Sequence, residues 1–509
     1  MLIPVLDASQ AAQWDERARV DASIPSRVLM EAAGRAVAGL VARDYPTPLR
    51  DGMLIAAGHG NNGGDGWVVA RALGASGATV WVAECAHDRT PDCAANRTLA
   101  LQEGIQCLAL DAEWPPVGIV VDALLGTGAT GAPRGDLAAL AARVAAHRGP
   151  IVAIDGPTGL DLSTGEAHGP VRADLSVTFG GIRRGHLLQR DWCGKIVVVD
   201  IGFPPADPAW PTLFGDAEAR AQLPPFRADM HKGDRGRVVV IGGAQGMAGA
   251  ALHAASAAFA VGTGLVKIAA APTTVQAAQG MLPDALTVTT AFGADLEPDL
   301  REAIGWADAL VLGPGLGRAP ERAAFVRAVL AEARSPVVID ADALQAGKDA
   351  FGAGTAPRVF TPHPGEFHAA FPELGSMLGA DRFGAAAAAP TTAAATVLLK
   401  GVPTVIATAD RPLRVIATGN PALATGGSGD LLAGFIAGFL ARGLDPHDAA
   451  ALGAFTLGRG AEMASELHSV RATRPADVLA AVPEVWRRLA EPAAIMPPIL
   501  LELSPPALV

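Results

Sequence analysis

Short apolar, β-branched runs alternate with alanine-rich stretches along most of the chain. Met53–Ala57, Ile119–Asp122, Ile151–Asp155, Val238–Ile241, Ala309–Leu312 and Val337–Asp340 each precede a glycine-rich turn or a helical pattern. Runs this short and apolar throughout predict strands of parallel sheets buried under crossover helices, so the fold class is α/β. Several of them end in Asp or Gly, and ligands of open α/β sheets bind beyond the carboxyl ends of strands. Between Phe203 and Arg227 the periodicity fails and prolines cluster, before a fresh strand begins beyond His231. This places domains at 1–215 and 229–491, with 216–228 as linker. The tail 492–509, with prolines among leucines, predicts an irregular strap or a frayed end. Ala385–Ala395, broken by Pro390, predicts helix surface.

Composition narrows the ligands. The 509 residues are half hydrophobic yet only 5% aromatic, with 59 Gly and one Tyr, a mixture suited to close-packed helices on a sheet and poorly suited to stacking on nucleic acid. A formal charge of -11 argues against a nucleic-acid or membrane-surface partner, so any phosphate site must be local. Cys85, Cys93, Cys107 and Cys193 lack paired spacing and predict buried thiols in a reducing cytoplasm. The opening residues show no leader pattern, and the most apolar helical run, Leu431–Ala441, is too short to span a bilayer.

Three strand ends in the first half carry polar oxygens. GHGNNGGDG, Gly58–Gly66, leads into the helical run Trp67–Leu73 and combines an anion-cradling turn with Asn61, Asn62 and Asp65. Asp122 runs into LLGTGATG, and Asp155 into GPTGLD. Either aspartate alone is as well read as a cap or turn former; the three ends together describe one crevice. The second half has no P-loop but offers GPGLG at Gly313–Gly317, DADAL at Asp340–Leu344, TPHPGE at Thr361–Glu366, LKG at Leu399–Gly401 and GGSGD at Gly426–Asp430. Gly427, Ser428 and Gly429 open an apolar helix and present an anion hole, with Asp430 at its edge as the general base that a hydroxyl attacking a phosphoryl group requires. His363 in its Gly/Pro-rich loop predicts substrate contact.

IPSRVLMEAAGRAVA, GHGNNGGDG, DALLGTG, AIDGPTGLD and DIGFP resemble, in order, the NAD(P)H-hydrate epimerase domain. The resemblance implies a Rossmann-like sandwich in which Asn61, Asn62, Gly63, Gly64 and Asp65, the loop Gly126, Thr127, Gly128, Ala129, Thr130, Gly131 and Ala132, and Asp155 hold the substrate. It further implies K+ on Asn62, Asp122 and Thr158, oxygen ligands that suit a hard cation. Thr158 stands where that family usually has Ser, and Arg183 where it usually has Lys. The second half resembles the ADP-dependent NAD(P)H-hydrate dehydratase of the ribokinase-like superfamily. This implies that Ala250, Gly315, His363 and Asp430 contact the hydrated dinucleotide. Lys400, Gly401, Val402, Pro403, Thr404 and Gly429 would contact ADP or ATP, and Glu366 would lie near Mg2+. Asp155 and Asp430 are the expected catalytic groups. The expected partners are the NADH and NADPH hydrates and an adenine nucleotide, with homo-oligomeric assembly. Two rivals stand beside this reading: a small-molecule, vitamin-precursor kinase in the second half, and a non-catalytic ligand-binding module in the first.

Overall fold

The computed structural model describes residues 2–347, 351–393, 395–491 and 497–505. It divides the chain into two compact units, Ile3–Trp210 joined by the described part of the C-terminal segment, and Pro211–Ala493.

In the first unit one sheet runs, edge to edge, Ile499–Leu503, Lys195–Val199, Leu175–Phe179, Ile151–Ile154, Ile119–Ala123, Met53–Ala57, Val80–Glu84 and Gln106–Leu108. All pairs are parallel except the first. The central strands are buried on both faces, which is why they read as unbroken apolar runs. The helix Asn61–Ala75 begins earlier than the Trp67 expected from sequence, so Gly63, Gly64 and Asp65 lie in its first two turns. Six adjacent small polar residues and glycines, Asn61 to Gly66, conceal this start, because they favour turns when read locally.

The tail departs from the expected strap. Ile499–Leu503 adds an antiparallel strand to Lys195–Val199, and Glu502 pairs with Arg43 at 2.6 Å and Lys195 at 3.3 Å. The prolines only flank this stretch; its ILLEL sequence has the apolar character of an edge strand. Residues 492–496 and 506–509 of the tail lie outside the described set, as does Ala394.

In the second unit the strand order is Leu286–Thr289, Leu265–Ala270, Arg237–Ile241, Ala309–Leu312, Val337–Ile339, Arg358–Phe360, Thr396–Leu399, Thr404–Ala407, Arg414–Ile416 and Thr212–Leu213. It is parallel as far as Thr396–Leu399 and antiparallel through Thr404–Ala407. Residues 216–222 form a helix whose Asp216 pairs with Arg459 at 2.6 Å. Helices Ala248–Ala260 and Ser428–Ala441 pack so closely that a Cβ on Gly434 would lie 2.1 Å from the Ala254 carbonyl oxygen. The surplus of Gly and Ala is used here, where backbones meet without side chains between them. Ala385, Ala386 and Ala389 are fully buried, so the Ala-rich helix Arg382–Ala393 presents core where surface was expected.

Candidate active sites

The first site lies beyond the carboxyl ends of three neighbouring strands. A Cβ on Gly63 would lie 1.9 Å from the Gly58 carbonyl oxygen, so the glycines let the helix start fold back on the strand end. A Cβ on Gly126 would lie 2.8 Å from Asp155 Oδ2 and 3.4 Å from Asn62 Cγ, which sets Asn62, Gly126 and Asp155 around one point. Asn61 is exposed and its Oδ1 accepts from the Thr90 hydroxyl at 2.9 Å. Asp65 is buried, and that burial lifts its carboxyl well above the usual range. Gly128, Thr130, Gly131 and Ala132 are exposed, while Ala129 turns its N–H back to Gly126 O at 3.0 Å.

Asp155 has φ 63°, a left-handed conformation that L side chains seldom adopt, and it is held there by the groups around its carboxylate. Thr127 donates its N–H at 2.7 Å and its hydroxyl at 2.5 Å to Oδ2. Arg183 lies 3.5 Å from Oδ1 and donates Nε–H to Thr127 Oγ1 at 2.9 Å. Burial alone would raise this carboxyl; the Arg183 guanidinium and the Thr127 hydrogen bonds outweigh it and hold the group below its ordinary value. His186, buried beside the pair, is pushed down to about 4 by desolvation and stays neutral.

Asp122 is wholly buried, accepting from Thr158 Oγ1 at 2.7 Å and Thr158 N–H at 2.8 Å, and burial pushes it up to about 6. Both amide atoms of Asn62 are buried without a hydrogen-bond partner. An orphaned amide oxygen, a buried carboxylate and a hydroxyl are the donor set a hard monovalent cation accepts. The structure brings Asp122 and Thr158 into contact; Asn62 stands across Gly126 towards Asp155.

The second site forms at the carboxyl ends of the second sheet. Lys400 Nζ donates to Asp340 Oδ1 at 2.9 Å and lies 3.5 Å from Glu366 Oε2. Thr361 Oγ1 donates to the same Asp340 oxygen at 2.7 Å. A Cβ on Gly429 would lie 3.6 Å from both Asp340 Oδ2 and Lys400 Nζ, so the GGSGD helix start and the Lys400 loop face each other. Gly427 caps that helix with φ 101°, and Ser428 Oγ donates to Leu423 O at 2.8 Å. Burial first, and Asp340 second, push Asp430 up to about 7 against the pull of Lys400.

Gly315 and Ala250 meet: a Cβ on Gly315 would lie 3.2 Å from Ala250 Cβ, and its φ of 60° suits glycine. His363 is the N-cap of helix Pro364–Ala370, its Nδ1 accepting from Gly365 N–H at 3.0 Å, and its exposed ring stands on the rim. The loop Lys400, Gly401, Val402, Pro403 and Thr404 is held from behind by Arg382, which donates to Lys400 O at 2.7 Å and Pro403 O at 3.0 Å. Thr404 Oγ1 closes the loop on Gly401 O at 3.1 Å, and Val402 is exposed. Sequence reasoning left Asp340 and Arg382 out of the site. Asp340 was visible as an aspartate ending a strand; Arg382 carries no local signal, because its partners are carbonyls of a distant loop.

The first half matches the family described as YjeF-related protein N-terminus over residues 26–185, and the second matches NAD(P)H-hydrate dehydratase over residues 238–484. A bifunctional NAD(P)H-hydrate repair enzyme of Moorella thermoacetica is 37% identical, across 96% of this chain and 97% of its own length. The chain belongs to the bifunctional NAD(P)H-hydrate repair enzyme family. Another member, from Escherichia coli, is 33% identical over 90% of this chain and 89% of its own. Among solved structures, an ADP/ATP-dependent NAD(P)H-hydrate dehydratase of Bacillus subtilis, co-crystallised with ATP and Mg2+, is 31% identical with a TM-score of 0.50, covering 54% of this chain and 98% of its own. A repair enzyme of this family therefore carries both sites on one chain. Among the described residues, no helix is long and apolar enough to cross a membrane.

Proposed function

We propose that the chain repairs hydrated NADH and NADPH. The first site interconverts the R and S epimers at C6 of the reduced ring, and the second dehydrates the S epimer at the expense of ADP or ATP. The observation that carries this is the pairing of a left-handed, arginine-held Asp155 in one unit with an Asp430 raised to about 7 beside Lys400 in the other. Environments that push two carboxyls apart assign them different tasks.

In the second site Asp430 takes the proton of the C6 hydroxyl, whose oxygen attacks the terminal phosphoryl group of the nucleotide. N–H groups at the start of helix Ser428–Ala441 and the Lys400 ammonium face the charge that is transferred. The Ser428 N–H already donates to Thr425 O at 3.3 Å and the Leu431 N–H to Gly427 O at 3.1 Å, so this duty falls to Gly429 and Asp430. The ring nitrogen lone pair then expels phosphate, a far better leaving group than hydroxide, and the resulting iminium loses a C5 proton to phosphate or water, which restores the C5=C6 double bond of the reduced ring. A bound Mg2+ would neutralise phosphate charge, and Glu366 and Asp340, which flank Lys400, are the carboxylates that would orient it. No three acidic, imidazole or thiol side chains among the described residues converge on a metal, which fits an ion held largely by nucleotide phosphates. In the first site Asn62, Asp122 and Thr158 would hold K+, which would fix the strand ends around the substrate. A cytoplasmic location and a homo-oligomeric state complete this reading.

The test is incubation with hydrated NADH, nucleotide and Mg2+. Return of reduced-nicotinamide absorbance supports dehydration. Accumulation of a stable phosphorylated product would favour a small-molecule kinase instead.

A further inference from the structure

Epimerisation at C6 has two chemical routes. The hydroxyl can leave and water return from the other face, which requires an acid at the oxygen. Alternatively the hydroxyl can be deprotonated and the ring opened at the C6–N1 bond, which requires a base. The surroundings of Asp155 distinguish them. The guanidinium of Arg183 can only donate, so Thr127 Oγ1 accepts its Nε–H at 2.9 Å and must direct its own hydrogen to Asp155 Oδ2 at 2.5 Å. The Thr127 N–H donates to the same oxygen at 2.7 Å. On the other side, Oδ1 faces Arg183 at 3.5 Å and the Thr178 hydroxyl at 3.3 Å. Oδ2 is thus filled by Thr127, while Oδ1, facing the Arg183 charge and a Thr178 hydroxyl that also lies 3.3 Å from Gly181 O, is ionised at rest and keeps a lone pair free to take a proton. Arg183 is itself anchored, with Nη1 donating to Gly181 O at 2.9 Å. Its planar fork spans a carbonyl, a hydroxyl and a carboxylate together, which a lysine ammonium on a flexible stem does less rigidly.

We propose that Arg183 is a positioning residue that keeps Asp155 ionised at rest and ready to act as a base, so that inversion proceeds by ring opening with the C6 oxygen retained. This rests on the epimerase reading above. Asp155 takes the hydroxyl proton and the oxygen pair forms C6=O. The C6–N1 bond breaks with its electrons going to N1, where they are delocalised through C2=C3 into the carboxamide. Rotation about C5–C6 turns the aldehyde; N1 adds to its opposite face, and Asp155 returns the proton to oxygen. Atoms and electrons balance without an oxidant, a reductant or added water.

The experiment uses the full chain without nucleotide, so that only inversion occurs, on pure R hydrate in 18O-labelled water. Inversion with unlabelled C6 oxygen, after subtraction of the spontaneous background, supports the proposal. One label gained per inversion overturns it while leaving the epimerase intact. A chain that leaves R hydrate unchanged removes the epimerase reading and the proposal together. Arg183→Gln should lower kcat for inversion at least about tenfold with KM changed less than about twofold, and Arg183→Lys should recover part of the loss by retaining the charge. An unchanged temperature of thermal inactivation for the residual inversion activity reports that the first unit has folded in the variant. Unchanged kcat in Arg183→Gln, or a loss confined to KM, would overturn the assignment.

Discussion

The two sites hold aspartates of opposite character. Asp155 is fixed from several sides, by a threonine that donates twice and an arginine that cannot lose its charge. Asp430 stands at a helix start where burial and the nearby Asp340 lift it to about 7, with Lys400 pulling the other way. One environment keeps a carboxylate ionised at rest, and the other lifts a carboxyl to where it exchanges its proton near neutrality, the range in which a general base would be most effective. Both carboxylates lie beyond the carboxyl ends of strands in parallel sheets, so the shared architecture sets the place and the neighbouring donors set the chemistry.

The largest expected effect breaks one side of that comparison. Asp430→Asn should lower dehydration at least about a hundredfold, the usual scale for a positioned base, and leave inversion of R hydrate intact. A smaller loss in single-turnover measurements would reduce Asp430 to an orienting group. The substitution also has a sign on stability. Because the native carboxyl titrates near 7 while the unfolded one titrates at its ordinary value, the native state binds the extra proton between those values and loses stability as pH rises through that window. Removing the charge should therefore raise the melting temperature at pH 8 more than at pH 4. Equal shifts would contradict the burial of that carboxylate.

Breaking the other side gives a different signature. Asp155→Ala should leave the initial dehydration rate on mixed epimers unchanged, and the progress curve should stall once the S epimer is consumed, apart from slow spontaneous inversion. Full conversion at the unmodified rate would remove the role of Asp155.

Intermediate in size is deletion of residues 492–509. It strips the antiparallel strand from Lys195–Val199 and the Glu502 pairs with Arg43 and Lys195. The exposed edge and the lost apolar burial should destabilise the first unit by about 1–3 kcal/mol, so that inversion is lost at lower temperature than dehydration. Thermal inactivation of both activities in parallel would show that the strand is not needed there. An isolated fragment 1–215 lacks the same strand and should share the defect.

Much of the fold was legible because it rests on local pattern. Six strands were readable to within a residue from apolar runs ending in Asp or Gly, since double-sided burial leaves little choice of residue. Asp122 and Asp155 stood out only together with the third polar strand end beside them, and Asp430 because GGSG precedes it at the start of an apolar helix. What remained hidden depends on distant partners. The tail strand is defined by an edge some 300 residues earlier in the chain, and Asp340 acquires its role from Lys400, 60 positions away. His363, expected to contact the substrate, caps the helix that carries Glu366, a role its sequence does not announce.

The smallest effect sharpens the nucleotide side. Gly429 is helical, and a Cβ there would stay 3.6 Å from Asp340 and Lys400, an ordinary contact. Gly429→Ala should thus keep or slightly raise the melting temperature, as alanine favours helix by up to about 1 kcal/mol. The nucleotide KM should rise severalfold, because the methyl narrows the approach of phosphate. An unchanged KM would move the phosphate away from this helix start.

The most direct measurement of the whole account is a progress curve for the full chain with a mixture of R and S hydrated NADH, excess ADP or ATP, and Mg2+. If the two aspartates divide the work as their surroundings indicate, absorbance rises to complete recovery of the reduced dinucleotide, because the first site replenishes the epimer that the second consumes. A plateau at the initial S fraction would contradict the account.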